Sequence, residues 1–181
     1  MNGLKNLQMP LGHLEAQVEG FTVEKLVQDE AFVSATIHAT RIAIGTHQQA
    51  KHEYLRNALL NIALAKGPDE VLLEIFLNAI EAFTPAHVKA LNVIWSGFGE
   101  RNLWNEHGVP IQNRNYGTAI EIMVPELKGQ SSLTQFILAD LRTRGFSSLS
   151  GTDAPFPQGG IITNMGITFL RFVLSPAALP K

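Results

Sequence analysis

The chain has 181 residues, 45% of them hydrophobic and 17% charged, and no cysteine. That length suits one domain or two small ones with a core of their own, and the missing thiols exclude disulfides, thiolate metal sites and a cysteine nucleophile. The net charge of −2 is split, with six Lys+Arg against ten Asp+Glu in residues 1–83 and eight against six in residues 84–181. So small a positive surplus is no footprint for a polyanion.

Residues 1–21 read as a tail or an edge helix. Their Leu and Met residues are scattered, without the continuous apolar run of a secretory signal. The longest apolar stretches, such as Ala58 to Ala65 with Asn61 inside it, fall far short of the about 20 residues of a membrane span. The expectation is a soluble cytoplasmic protein without membrane contact.

Residues 22–83 carry a helical period. Phe32, Ala35, Thr36, Ile37, Ala39, Ala43 and Ile44 fit a buried stripe. Gly45-Thr46 interrupts it, and Thr46 is placed to cap a second helix from His47 to about Leu64, whose apolar face is Tyr54, Leu55, Ala58, Leu59, Ile62 and Ala63. Lys66-Gly67-Pro68 is a stop, and Asp69 is a good N-cap for a third helix through Phe83. Val71, Leu72, Ile75, Phe76, Ala79 and Ile80 give that helix a wide inward face. Short links predict a bundle of helical hairpins.

Residues 84–181 open with Thr84 as N-cap and Pro85 at the first helical position. The helix that follows buries Val88, Leu91 and Val93, with Trp95 near its end. Gly97 to Tyr116 has no periodicity and is rich in Asn and Gly, which predicts a long loop. A short helix within Gly117–Leu127 is bent or ended by Pro125, and Ser132 to Arg144 forms another that Gly145 stops. Phe146 to Thr163 is then expected as a β wing with Ile161-Ile162 as its return strand, before a Thr163-capped helix carrying Phe169. The expected core includes Phe76, Leu91, Phe136, Leu141 and Phe169. The fold class expected is mainly α, a helical bundle followed by a winged-helix-like module with a small β wing.

The order of helix, Gly145-Phe146, turn-rich segment and Ile162-Thr163-Asn164-Met165-Gly166 resembles winged-helix domains, in which a third helix ends in Gly-Leu or Gly-Phe and the last begins at an LT-x-x-G phrase. Together with THQQAKHEYLRNALLNIAL and TPAHVKAL upstream, it is similar to uncharacterised bacterial helical proteins that distantly resemble the abortive-infection alpha family. That resemblance implies an association with phage defence and transfers no catalytic residue.

Chemistry-bearing patterns are few. His52-Glu53-Tyr54-Leu55-Arg56 has Arg where a zinc helix needs its second His. His47 and His52 point about 140° apart on a helix, so the residues offer no metal site. Gly97-Phe98-Gly99 has Asn102 at the third glycine position and follows a helix, unlike a phosphate loop. Trp95, Phe98 and Trp104 form a local aromatic group that suits a loop anchor. Nothing points to a cofactor or to a nucleophile–base pair, so catalysis is not expected.

A winged helix that reads DNA inserts its third helix into the major groove. Here Ser132, Thr134 and Gln135 would meet base edges, while Arg142 and Arg144 would reach phosphate. The wing region has Asp153 and no Lys or Arg between Gly145 and Leu170, which disfavours a nucleic-acid partner. The reading from sequence is therefore a non-enzymatic, self-associating interaction protein, a homo-oligomer. The alternative is a winged-helix DNA-binding regulator.

Overall fold

The computed structural model describes residues 23–64, 67–96, 108, 114–154 and 161–174. Among these the chain is mainly α, with eight α-helices: α1 Val23–Gln28, α2 Glu30–Ile44, α3 Gln49–Ala63, α4 Glu70–Ala82, α5 Pro85–Ser96, α6 Tyr116–Met123, α7 Ser131–Thr143 and α8 Asn164–Val173. A 3-10 turn, Pro125–Leu127, separates α6 from α7. No single described helix is long and apolar enough to cross a membrane.

The contacts divide the chain into two compact units, one reaching to Ala82 and taking in the chain from Arg171 onward, the other spanning Phe83–Leu170. The division falls inside α8. Its first residues belong to the second unit and Arg171 to Val173 to the first.

In the first unit the helix starts are set by short polar side chains. Asp29 caps α2, its Oδ1 accepting from the N–H groups of Ala31 and Phe32 at 3.0 and 3.1 Å. Asp69 Oδ1 accepts from Leu72 N at 3.0 Å and caps α4 as its position predicts. Thr46 stands two residues before the cap: its hydroxyl accepts from Gln48 N at 3.2 Å, and Gln48 itself, not Thr46, occupies the N-cap of α3. The core is built from Ala35, Ala39 and Ile42 of α2, Leu55, Ala58 and Leu59 of α3, and Leu73, Phe76, Leu77 and Ile80 of α4. Phe76 packs on Phe172 with ring centroids 5.7 Å apart.

Two buried asparagines one turn apart on α3 hold the end of α8. Asn57 Nδ2 donates to Val173 O at 3.0 Å, and Asn61 Nδ2 donates to Phe172 O at 2.9 Å and Arg171 O at 3.2 Å. The last carbonyls of a helix have no partner within it, and here amide donors from a neighbouring helix supply one. At the end of α4, Lys51 Nζ donates to Glu81 O at 2.6 Å. Burial pushes the Lys51 ammonium below its ordinary value, with Glu81 acting against that.

In the second unit α5, α6 and α7 pack around Leu91, Ile120, Leu127, Leu138 and Leu141, all buried. Gly145, at φ +80°, ends α7. Its N–H reaches Arg142 O and that of Phe146 reaches Leu141 O, both at 2.9 Å, the paired bonds of a Schellman stop. Phe146 turns inward as expected and is buried.

The expected wing is not seen. Among the described residues there is no strand; Ser147 and Ile162 form an isolated antiparallel bridge. The reason lies in where the next carbonyls go. Those of Thr152 and Ala154 accept from the N–H groups of Gly117 and Tyr116 at 2.9 and 3.1 Å. The segment after Leu149 thus satisfies orphan donors at the start of α6 instead of a return strand. Part of the expected wing, residues 155–160, lies outside the described residues.

Phe76, Leu91, Leu141 and Phe169 are buried as expected, whereas Phe136 is exposed. The inner stripe of α7 is Thr134, Ile137, Leu138 and Leu141, and Phe136 projects well away from its centre at about 100° per residue. Ile37, Ile44, Val71 and Ile75, also expected inside, face outward as well. In α2 and α4 apolar residues lie on more than one side, and Ala35-Ala39-Ile42 and Leu73-Phe76-Leu77-Ile80 take the inward one.

These placements predict opposite results for two apolar positions on one helix. Leu141→Ala should lower unfolding free energy by about 2–5 kcal/mol, and Phe136→Ala by no more than about 0.5 kcal/mol, in urea melts of the two variants. A second expectation concerns acid. The hydrogen bond from Lys89 (Nζ to Glu126 Oε1, 2.6 Å) holds the Glu126 carboxyl below its ordinary value of 4.5. Its contribution is therefore present above that value and fades as pH falls through the lower folded-state value. The pair is largely solvent-exposed, so screening limits the effect. Glu126→Gln should remove less than about 1 kcal/mol of pH-dependent stability, read from urea midpoints between about pH 5 and 3.

Candidate functional site

The residues expected to face a nucleic acid all lie on or beside α7, and the structure separates them. Ser132, Gln135, Arg142 and Arg144 are exposed. Thr134 is fully buried, with a hydroxyl that has no hydrogen-bond partner, and is out of reach of any ligand on the outer face. Arg144 is committed to its own unit. Its Nε bonds Asp140 Oδ1 at 2.9 Å, and its guanidinium carbon lies 5.6 Å from the centroid of the Phe83 ring. Of the two arginines, only Arg142 has a head with no fixed partner, and it stands at the last turn.

What the outer side of α7 does present is neutral. Ser132, Phe136, Ala139 and Thr143 follow one another at spacings of four, three and four, which puts them in one row opposite the buried stripe. Phe136 is 63% exposed and Leu133, beside the row, is 42% exposed. A helix that enters a major groove carries polar and basic groups at such positions. This one carries a phenyl ring, three small uncharged side chains and, on its flank, a leucine.

A polar cluster closes the start of α5. Thr84 N donates to His87 Nδ1 at 3.2 Å, and the Thr84 hydroxyl lies 2.9 Å from the same nitrogen. His87 Nε2 is 3.5 Å from Asp140 Oδ2. The imidazole is buried and stacks on Phe83, centroids 5.0 Å apart and planes 6° from parallel. A hydroxyl, an imidazole and a carboxylate in sequence invite comparison with a nucleophile–base–orienter set. The geometry serves a different purpose. A base needs a free lone pair toward its nucleophile, and Nδ1 already accepts the backbone N–H of Thr84. That is the reciprocal half of a capping box, with His in the place usually taken by Glu or Gln. With Nδ1 as acceptor, the neutral ring carries its proton on Nε2, toward Asp140.

The spacing Thr84-Pro85-Ala86-His87 carries a readable cap signal, since the third residue after the N-cap is where the reciprocal acceptor sits. Asp140, more than fifty residues later, had no such signal. The histidines weighed for metal do other work or stand alone: His52 Nε2 faces the carbonyls of Ala43 and Thr46 at 3.2 and 3.1 Å. Among the described residues no three His, Asp or Glu groups converge. A shallow depression bounded by Thr118, Glu121, Ile122 and Lys128 has its carboxylate occupied, Glu121 Oε2 accepting from Gly129 N at 3.2 Å. Trp95 is half-buried, and its expected partners Phe98 and Trp104 lie outside the described residues.

If the cluster is a cap, its two halves should differ in weight. His87→Ala removes the acceptor for Thr84 N–H and the ring on Phe83, and should cost about 2–4 kcal/mol. Thr84→Val keeps the backbone donor and should cost about 1 kcal/mol or less. Urea unfolding of both variants checks the order. Compared with known proteins, the chain matches no family model, no curated protein and no solved structure.

Proposed function

We propose that this chain is a non-enzymatic interaction protein that docks another protein on the outer side of α7 and associates with itself. The observation that carries the reading is the uncharged row on α7, with Phe136 outermost and Leu133 exposed beside it. An exposed aromatic on a rigid helix is the kind of anchor that protein interfaces use. The sparse charge, 17% against about 25% in ordinary soluble domains, supports self-association. The capping role of Thr84, His87 and Asp140 supports a protein without catalysis. The resemblance to the abortive-infection alpha family supports a bacterial, cytoplasmic setting in phage defence.

The finer fold reading is a winged-helix-like module whose described residues carry no β wing. The succession α5, α6, α7, the stop at Gly145, the Ser147–Ile162 bridge and the Thr163 start of α8 favour it. Such a module also favours the second function, a DNA-binding regulator, in which exposed Ser132 and Gln135 would read bases and Arg142 would touch phosphate. On α7, Arg142 alone is weak support. Its salt slope would be no steeper than about −1 to −2 per subunit.

Two measurements separate the readings. Light scattering at tens of micromolar should return a species larger than the monomer. Mobility shifts with genomic duplex fragments should show no complex at physiological salt, while a nuclease-treated pull-down from the native host recovers a partner that Phe136→Glu loses without loss of helicity. A sequence-dependent DNA complex that survives moderate salt would reverse the ranking.

A further inference from the structure

Helix α2 is apolar on two opposite sides. Its inner side is Ala35, Ala39 and Ile42, all buried. At about 100° per residue, Val33, Ile37 and Ile44 fall within roughly 40° of one another on the other side, and they are 36%, 51% and 80% exposed. Thr40, also exposed, completes the row. The outward side of a surface helix is normally polar and charged. Here it is a ridge about 16 Å long made of β-branched side chains.

Charge is placed with order beside this ridge. Glu30 lies at one end and Arg41 near the other, both exposed and both on the same flank. Eleven residues apart, they are separated by roughly 16 Å along the axis, too far to meet each other. Neither enters an ion pair within the described residues.

We propose that this ridge is the self-association surface, on which a second copy of α2 packs antiparallel about a two-fold axis passing between residues 35 and 37. The proposal rests on the self-association reading above and gives it a place. In an antiparallel helix pair each flank faces the same flank of the other copy, whereas in a parallel pair opposite flanks meet. Only the antiparallel arrangement therefore sets Glu30 against Arg41 of the partner subunit, and by symmetry makes the pair twice. Ile37, 51% exposed in the single chain, then lies beside the axis. One helix pair buries less than the standard protein interface, so the association is weak, in the micromolar range.

Sedimentation equilibrium of the full chain and its variants tests this. The wild type should be a monomer–dimer system, and Ile37→Glu should be monomeric at the same concentrations with its helical signal kept. Glu30→Arg and Arg41→Glu should each weaken dimerisation on the order of tenfold by setting like charges together twice. The double exchange, E30R with R41E, should restore it, which no contact within one chain would do. A dimer indifferent to all four variants would overturn this surface and leave self-association standing. A monomeric wild type at tens of micromolar would overturn both. If that monomer melted at lower temperature on Ile37→Glu, the ridge would be covered by the chain's own residues, and the proposal would fail for that reason.

Discussion

One hydroxyl holds the turn on which the second unit depends. Thr163 Oγ1 donates toward Gly145 O at 2.7 Å and Phe146 O at 3.1 Å, and accepts from Gly166 N at 3.0 Å. It caps the start of α8 and ties that start to the stop of α7. Gly166 completes the joint by lacking a side chain: a Cβ there would fall on the Phe146 carbonyl oxygen. Thr163 and Gly166 are thus separated by the spacing of an N-cap and its third residue, and the phrase Thr-x-x-Gly has a mechanical meaning. Around the joint, Phe83, Phe146 and Phe169 meet edge to face with centroids 5.0–5.9 Å apart, so the capped turn and the aromatic core form together.

The first unit relies on a related device with the opposite polarity. There the buried groups are donors, Asn57 and Asn61, and they meet the last carbonyls of α8. An unpaired amide in a core costs about 1–3 kcal/mol, so these two asparagines stabilise only when that helix end is in place. Lys51 on the Glu81 carbonyl and His52 facing the Ala43 carbonyl repeat the pattern at the ends of α4 and α2. The C-termini of α2, α4 and α8 are met by side chains of α3, which accounts for the buried polar residues Asn57 and Asn61 on that helix.

Chemistry and recognition part company on these helices. The polar groups that come closest to a reactive set, Thr84, His87 and Asp140, are consumed in capping and in holding Arg144. Beside the exposed polar side chains, apolar ones also face solvent: Val33, Ile37 and Ile44 on α2, and Leu133 and Phe136 on α7.

Most helix placements and stops were legible in the sequence because they depend on neighbours within four residues, though the break capped by Asp29 was not read and Gln48 takes the N-cap expected of Thr46. Asp69, Thr84-Pro85, Gly145 and Thr163 act where their local patterns put them. The inward side was legible for the helices around Leu55 and Leu91, but only in part for α2, α4 and α7. Val33 and Ala35, or Phe136 and Ile137, are equally apolar by local rules, and only packing against distant helices chooses between them. The same holds for the wing, where the carbonyls of Thr152 and Ala154 went to the start of α6, and for Asp140, which meets His87 across more than fifty residues. Sequence alone determined most of the elements and their ends, through bonds between near neighbours. The tertiary structure decided the remaining choices of burial and exposure, and every polar contact across the chain, since those depend on which surfaces meet.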